Sequence, residues 1–165
     1  EVPVASPRGA NEVERLADLV APLLRLGDTV CMRAFQSAVG CVNAERGNLL
    51  WSRTIGGTEG VAGNEQVIVG ADASDRLTAW RTASGEVAWT SERLMYRSVS
   101  SPLAVGPTVV FVDGEGTVHW MSLDKGEPVL RLSTDSSGAA AAPVASGNTL
   151  LVVTRNGGLH AFRPE

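Results

Sequence analysis

Ser101-Pro102-Leu103-Ala104-Val105-Gly106-Pro107-Thr108-Val109-Val110-Phe111-Val112-Asp113-Gly114-Glu115-Gly116 is the stretch that decides the fold, because its pattern recurs along the chain. Ala142-Pro143-Val144-Ala145-Ser146-Gly147-Asn148-Thr149-Leu150-Leu151 follows the same frame, as does Ala21-Pro22-Leu23-Leu24-Arg25-Leu26-Gly27-Asp28-Thr29-Val30. Val61-Ala62-Gly63-Asn64-Glu65-Gln66-Val67-Ile68 is a looser copy. The shared glycines fall at 27, 63, 106 and 147, a spacing of roughly 40 residues, which is the range of repeat architectures.

Each copy has a matching second half. Cys41-Val42-Asn43-Ala44-Glu45-Arg46-Gly47-Asn48-Leu49-Leu50-Trp51 aligns with Ala79-Trp80-Arg81-Thr82-Ala83-Ser84-Gly85-Glu86-Val87-Ala88-Trp89. Trp120-Met121-Ser122-Leu123-Asp124-Lys125-Gly126-Glu127-Pro128-Val129-Leu130 keeps the frame, with Leu replacing the final Trp. His160-Ala161-Phe162-Arg163 begins a fourth copy. Thr108–Val112 and Thr149–Val153 are short β-branched and aromatic runs bounded by glycine turns, so they read as strands. With the strand at Pro-Leu-Ala-Val, one repeat supplies four antiparallel strands.

These strands are apolar at consecutive positions, so both sheet faces must be covered. Four-stranded blades stacked around an axis meet that demand, and the period agrees. A β-sandwich is the alternative, but nothing in a sandwich calls for a repeated Gly-x-x-x-Trp ending. The expectation is an all-β chain, a β-propeller of four-stranded antiparallel blades with about four blades, half of an eight-bladed ring. Residues 1–6 read as the closing strand of a preceding blade and 7–20 as a rim loop. Repeats follow at 21–56, 57–93, 98–133 and 139–165, the last lacking its final strand. The long links before each repeat emerge on one rim, where scaffolds of this kind carry their binding residues. The orphan strand and the incomplete last repeat leave two readings: two chains complete a ring as a homodimer by strand exchange, or the segment is a fragment whose missing half lies upstream.

The chain has 165 residues, 44% hydrophobic and 19% charged, which suits one globular domain. A net charge of −4 without basic runs gives no footprint for nucleic acid. No apolar run reaches the roughly 18 residues of a membrane span. The chain opens on Glu1-Val2-Pro3-Val4 without an initiator Met or a leader pattern, as a mature or trimmed segment would.

Candidate chemistry is sparse. His119 and His160 share one repeat position with Thr78 and Gly40, so they read as strand residues, not as catalytic or metal-binding groups. Asp72 and Asp75 flank a turn, where carboxylates cap backbone amides. Trp51, Trp80, Trp89 and Trp120 read as wedges between blades. Pairing Val112 with Thr117 in the third repeat puts Cys31 opposite Gly40 in the first. Cys41 then points to the other face, and two buried free thiols are expected; a one-residue bulge would restore a disulfide.

The motif Ala-Trp-x-x-x-x-Gly-Glu-Val-x-Trp at Ala79–Trp89 resembles the quinoprotein-repeat propellers. Glu12-Val13-Glu14-Arg15-Leu16-Ala17-Asp18, Leu94-Met95-Tyr96-Arg97, Asp113-Gly114-Glu115-Gly116 and Thr134-Asp135-Ser136-Ser137-Gly138 are similar to the carboxyl-terminal half of the BamB family, lipoproteins of the bacterial outer-membrane barrel-assembly machinery. The resemblance implies an eight-bladed, non-enzymatic propeller without cofactor or metal, on the periplasmic face of the outer membrane. It implies BamA-like periplasmic domains as the partner. The family's Arg-Leu-x-Asp-x-Asp loop maps onto Arg15, Leu16 and Asp18, with Val20 in place of the second acid. Arg15 and Asp18 would then give charged contacts and Leu16 an apolar anchor, with Arg97 and Asp135 as rim neighbours. The rival readings are a fragment of a quinone-cofactor-dependent dehydrogenase and a propeller sensor domain. The dehydrogenases resemble one another in an adjacent cysteine pair, which this chain does not have.

Overall fold

The computed structural model describes residues 3–4 and 18–163. Four antiparallel sheets follow one another along the chain, each running outward in sequence order. The first holds β1 (Leu19–Leu26), β2 (Thr29–Ala34), β3 (Ala38–Asn43) and β4 (Asn48–Thr54). The second holds β5 (Ala62–Gly63), β6 (Val67–Ala71), β7 (Leu77–Arg81) and β8 (Val87–Ser91). The third holds β9 (Leu103–Val105), β10 (Thr108–Val112), β11 (Thr117–Ser122) and β12 (Pro128–Ser133), and the fourth β13 (Val144–Ser146), β14 (Thr149–Val153) and β15 (Leu159–Phe162). The innermost strands β5 and β9 lie beside each other across the second seam. The chain is therefore an all-β run of four propeller blades. No helix among the described residues is long and apolar enough to cross a membrane. Most of the expected closing strand at 1–6 lies outside the described residues. Val4 is buried and its carbonyl accepts from Ser52 Oγ at 2.8 Å.

The two-sided apolar strands do what their pattern demands. In β6, Val67, Val69 and Ala71 pack toward the third blade with Val109, Phe111 and Met121, while Ile68 packs toward the first with Val39 and Trp51. In β10, Val110 and Val112 turn the other way and meet Leu150 and Val152. Each core cluster is thus a seam between neighbouring blades, and each fully buried Val, Ile or Phe contributes about 1.5–3 kcal/mol.

The repeated Gly-x-x-x-Trp has a specific geometry. Trp51 on β4 crosses to the second blade, where its Nε1–H donates to Thr82 O at 2.7 Å. A Cβ on Gly85, whose φ is +67°, would lie 2.5 Å from that indole. Trp89 repeats the arrangement one blade on, donating to Leu123 O at 2.8 Å over Gly126. The outer pairing of each of these three blades carries a bulge at the same place, at Cys41/Val42, Ala79/Trp80 and Trp120/Met121. Leu130 takes the Trp position in the third blade and borders an apolar cavity of about 180 Å³ with Trp120 and Phe162.

The cysteine expectation is overturned. Val112 pairs with Val118, not Thr117, and in the first blade Cys31 pairs directly with Cys41. The two form a disulfide, fully buried in the seam with the second blade. The displacement comes from the turn, where Asp113 N–H donates to Thr117 O at 2.9 Å and draws Thr117 opposite Asp113. One residue of register exchanges the two sheet faces, which is why the thiols were expected to diverge.

Candidate partner-binding rim

The links between blades gather with the hairpins between second and third strands on one rim. Three links dock by the same bond: Phe35 N–H donates to Asp18 O (2.7 Å), Gly114 N–H to Arg97 O (2.7 Å), and Arg155 N–H to Gly138 O (3.0 Å). Asp18 and Arg97 therefore occupy the same place before the first and third blades. Asp18 is exposed at the start of β1. Arg15 and Leu16 lie outside the described residues.

The link Arg93–Ser101 is held from both sides. Asp75 accepts from Ser98 N–H at 2.7 Å and Val99 N–H at 3.2 Å, and Tyr96 N–H donates to Ser74 O at 3.0 Å. Asp72 caps its own turn through Ser74 and Arg76 amides, as its position suggested. On the other side Arg97 Nη1 lies 3.3 Å from Asp113 Oδ2 and 3.8 Å from Glu115. Asp113 is fully buried; its Oδ1 accepts from Glu115 and Thr117 amides, and its Oδ2 from His119 Nε2 at 2.9 Å. Buried carboxylates persist only with such donors.

Asp135 plays the mirror role in the next link. In the fourth blade Thr154 stands where Asp113 stands in the third, and Thr154 Oγ1 donates to Asp135 Oδ2 at 2.6 Å. Ser137 Oγ donates to Asp135 Oδ1 at 2.7 Å, and His160 Nε2 lies 3.9 Å away. The Thr154 and Ser137 hydroxyls hold the Asp135 carboxyl down at about 2. Arg97 and Asp135 thus shape the rim as well as facing solvent.

Toward the axis the rim opens into a groove of about 450 Å³ lined by Gln36, Glu59, Asp72, Asp75, Ser101 and Arg155. Beneath it Arg33 is fully buried and donates to Ile55, Gly56 and Ala71 carbonyls at 3.4, 3.2 and 2.8 Å. Burial lowers its guanidinium to about 10, against the pull of Asp72 and Glu59. The arrangement fixes loop backbones; it presents no paired nucleophile and base. Sequence reasoning missed Asp113, His119 and Thr154 as loop anchors. Asp113 and His119 are diagonal neighbours across the hairpin, a relation visible only in the correct register.

Two-sided sheets fastened by an indole over a turn glycine, with a rim of tethered links, define a β-propeller of the quinoprotein-repeat class. A family model described as outer membrane protein assembly factor BamB matches residues 1–91. The outer membrane protein assembly factor BamB of Burkholderia pseudomallei (strain K96243) is 40% identical over 165 residues, all of this chain and 43% of that protein. The chain belongs to the BamB family. It spans less than half the length of the curated relatives it matches. The crystal structure of BamB from Moraxella catarrhalis superposes with a TM-score of 0.86 at 17% identity, covering 97% of this chain and 47% of that one. Quinohemoprotein alcohol dehydrogenase from Comamonas testosteroni superposes with a TM-score of 0.67 at 15% identity, covering 93% and 30%. Likeness at these identities shows the fold alone.

Proposed function

We propose that the chain is a non-catalytic docking scaffold that supports folding and insertion of outer-membrane β-barrel proteins, working at the periplasmic face of the outer membrane. Its partner on this reading is a BamA-like periplasmic domain of the barrel-assembly complex. Membership of the BamB family carries the proposal. The tethered rim supports it, because preorganised loops lose little entropy on binding. Asp18, with Arg15 and Leu16 just before it in sequence, is the contact, and Arg97 and Asp135 present their solvent-facing sides along the same rim. Exposed charge pairs contribute little each, so Leu16 serves as the apolar anchor.

Reversing the charge in Asp18→Arg should weaken pull-down of the BamA periplasmic region while the circular dichroism spectrum stays unchanged. Undiminished capture by that variant would refute the contact. The outer edge of β15 carries no partner strand among the described residues. A strand from a second copy would complete the blade there and build a ring of two chains. Sedimentation at micromolar concentration should then give the dimer mass, and a single-chain mass would refute that assembly.

A further inference from the structure

Tyr96 is the most exposed large hydrophobic side chain among the described residues, at 79%. It is also held in a conformation that its own chemistry disfavours. Its φ is +59°, and Ser98, two residues on, and Asp75, which accepts from the Ser98 amide, stand at +54° and +63°. A side chain with a Cβ avoids this left-handed region, and such residues persist only where their surroundings over-determine them. The surroundings here are the Asp75 caps, the Tyr96 amide bond to Ser74, the Arg97 carbonyl bond from Gly114, and the burial of Leu94 and Val99. Two hairpins from two blades thus hold a phenol ring out in water, although the ring itself adds nothing to the core.

The ring borders a cleft of about 360 Å³ shared with Arg97, Ser98, Gly114, Glu115 and Arg155. Its charges are unequal in availability. Asp113 is buried and saturated by Arg97, His119 and two amides, and Asp75 is engaged by Ser98 and Val99. Glu115 faces Arg97. Arg155 is exposed and has no carboxylate within salt-bridge distance among the described residues. In a chain of net charge −4, the cleft therefore sets a guanidinium with no carboxylate partner among the described residues beside an aromatic residue whose backbone is held on both sides.

We propose that the cleft between Tyr96 and Arg155 is a second docking site, which takes a protein segment presenting a carboxylate beside an apolar side chain. The carboxylate pairs with Arg155, where a forked guanidinium suits its two oxygens. The apolar group lies on the Tyr96 ring, a residue type that anchors interfaces at low entropic cost. The site rests on the scaffold reading but not on the Asp18 contact.

Fluorescence anisotropy with a labelled short peptide of alternating leucine and aspartate tests it, with lysine in place of aspartate as the control. The aspartate peptide should bind and the lysine peptide should not. Tyr96→Gly, which suits the positive φ and keeps the fold, should raise Kd about tenfold or more, and so should Arg155→Glu. Asp18→Arg should leave this binding unchanged while weakening BamA-domain capture, so the two sites fail separately. Equal binding of both peptides, indifference to both cleft variants, or Arg155-dependent binding of phosphatidylglycerol vesicles without peptide binding would overturn the proposal.

Discussion

Removing the bridge between Cys31 and Cys41 should lower stability by about 2.7 kcal/mol. The crosslink spans a sequence separation of 10, and the chain-entropy relation for a loop of that size gives this figure at 25 °C. For a chain of 165 residues, that corresponds to a fall in Tm of roughly 5–10 °C. Thermal unfolding followed by circular dichroism would compare the native chain with Cys31→Ala, Cys41→Ala and the double variant. Either single substitution breaks the same bond, so the second should cost only its own side chain, and the double variant should fall well short of the sum. Because both sulfurs are fully buried, reductant should leave the folded chain intact and act only as it unfolds. Thiol titration in denaturant without reductant should detect no free thiol. Two titratable thiols there, together with additive alanine costs, would refute the register and the bond.

Gly85→Ala should cost about 2–5 kcal/mol in urea unfolding, from the left-handed backbone and the encroachment on Trp51. Gly47→Ala is the control, because its φ is +63° but a Cβ there meets open space; equal costs would mean that the indole is not seated on Gly85. Asp135 ionises more readily in the folded chain than in the unfolded one, so the unfolded state takes up the proton first on acidification. Its stabilising effect is therefore complete above pH about 4 and is lost as pH falls from there to about 2. An NMR titration of the Asp135 carboxyl should show this low midpoint, and Thr154→Val should move it back toward the ordinary carboxylate range; an unmoved midpoint would refute the assigned cause.

What the sequence disclosed was whatever the repeated backbone imposes. Gly85 and Gly126 must be glycine because an indole from the preceding blade covers them, so the motif survives from copy to copy and announces the architecture. The alternation in β6 and β10 between two seams likewise leaves an unbroken apolar run. The rim was less legible, since its anchors join segments whose pairing no local pattern encodes. Arg97 reaches Asp113 in a hairpin from the link before that blade, and Asp135 reaches Thr154 across a blade boundary. A single misplaced residue in the turn at Asp113 concealed both the disulfide and the diagonal between Asp113 and His119. Both errors share that one cause.

Leucine at position 130 has a mechanical corollary. The first and second junctions are each tied by a directional N–H bond from an indole, whereas in that place the third has the apolar Leu130 beside a cavity, and its link is held at the rim by Thr154 and Asp135. An array coupled only between neighbours separates first where its coupling is poorest. Hydrogen exchange should therefore release β13–β15 before the crosslinked opening sheet, so that the last element can swing on its tether while the rest of the arc keeps its shape.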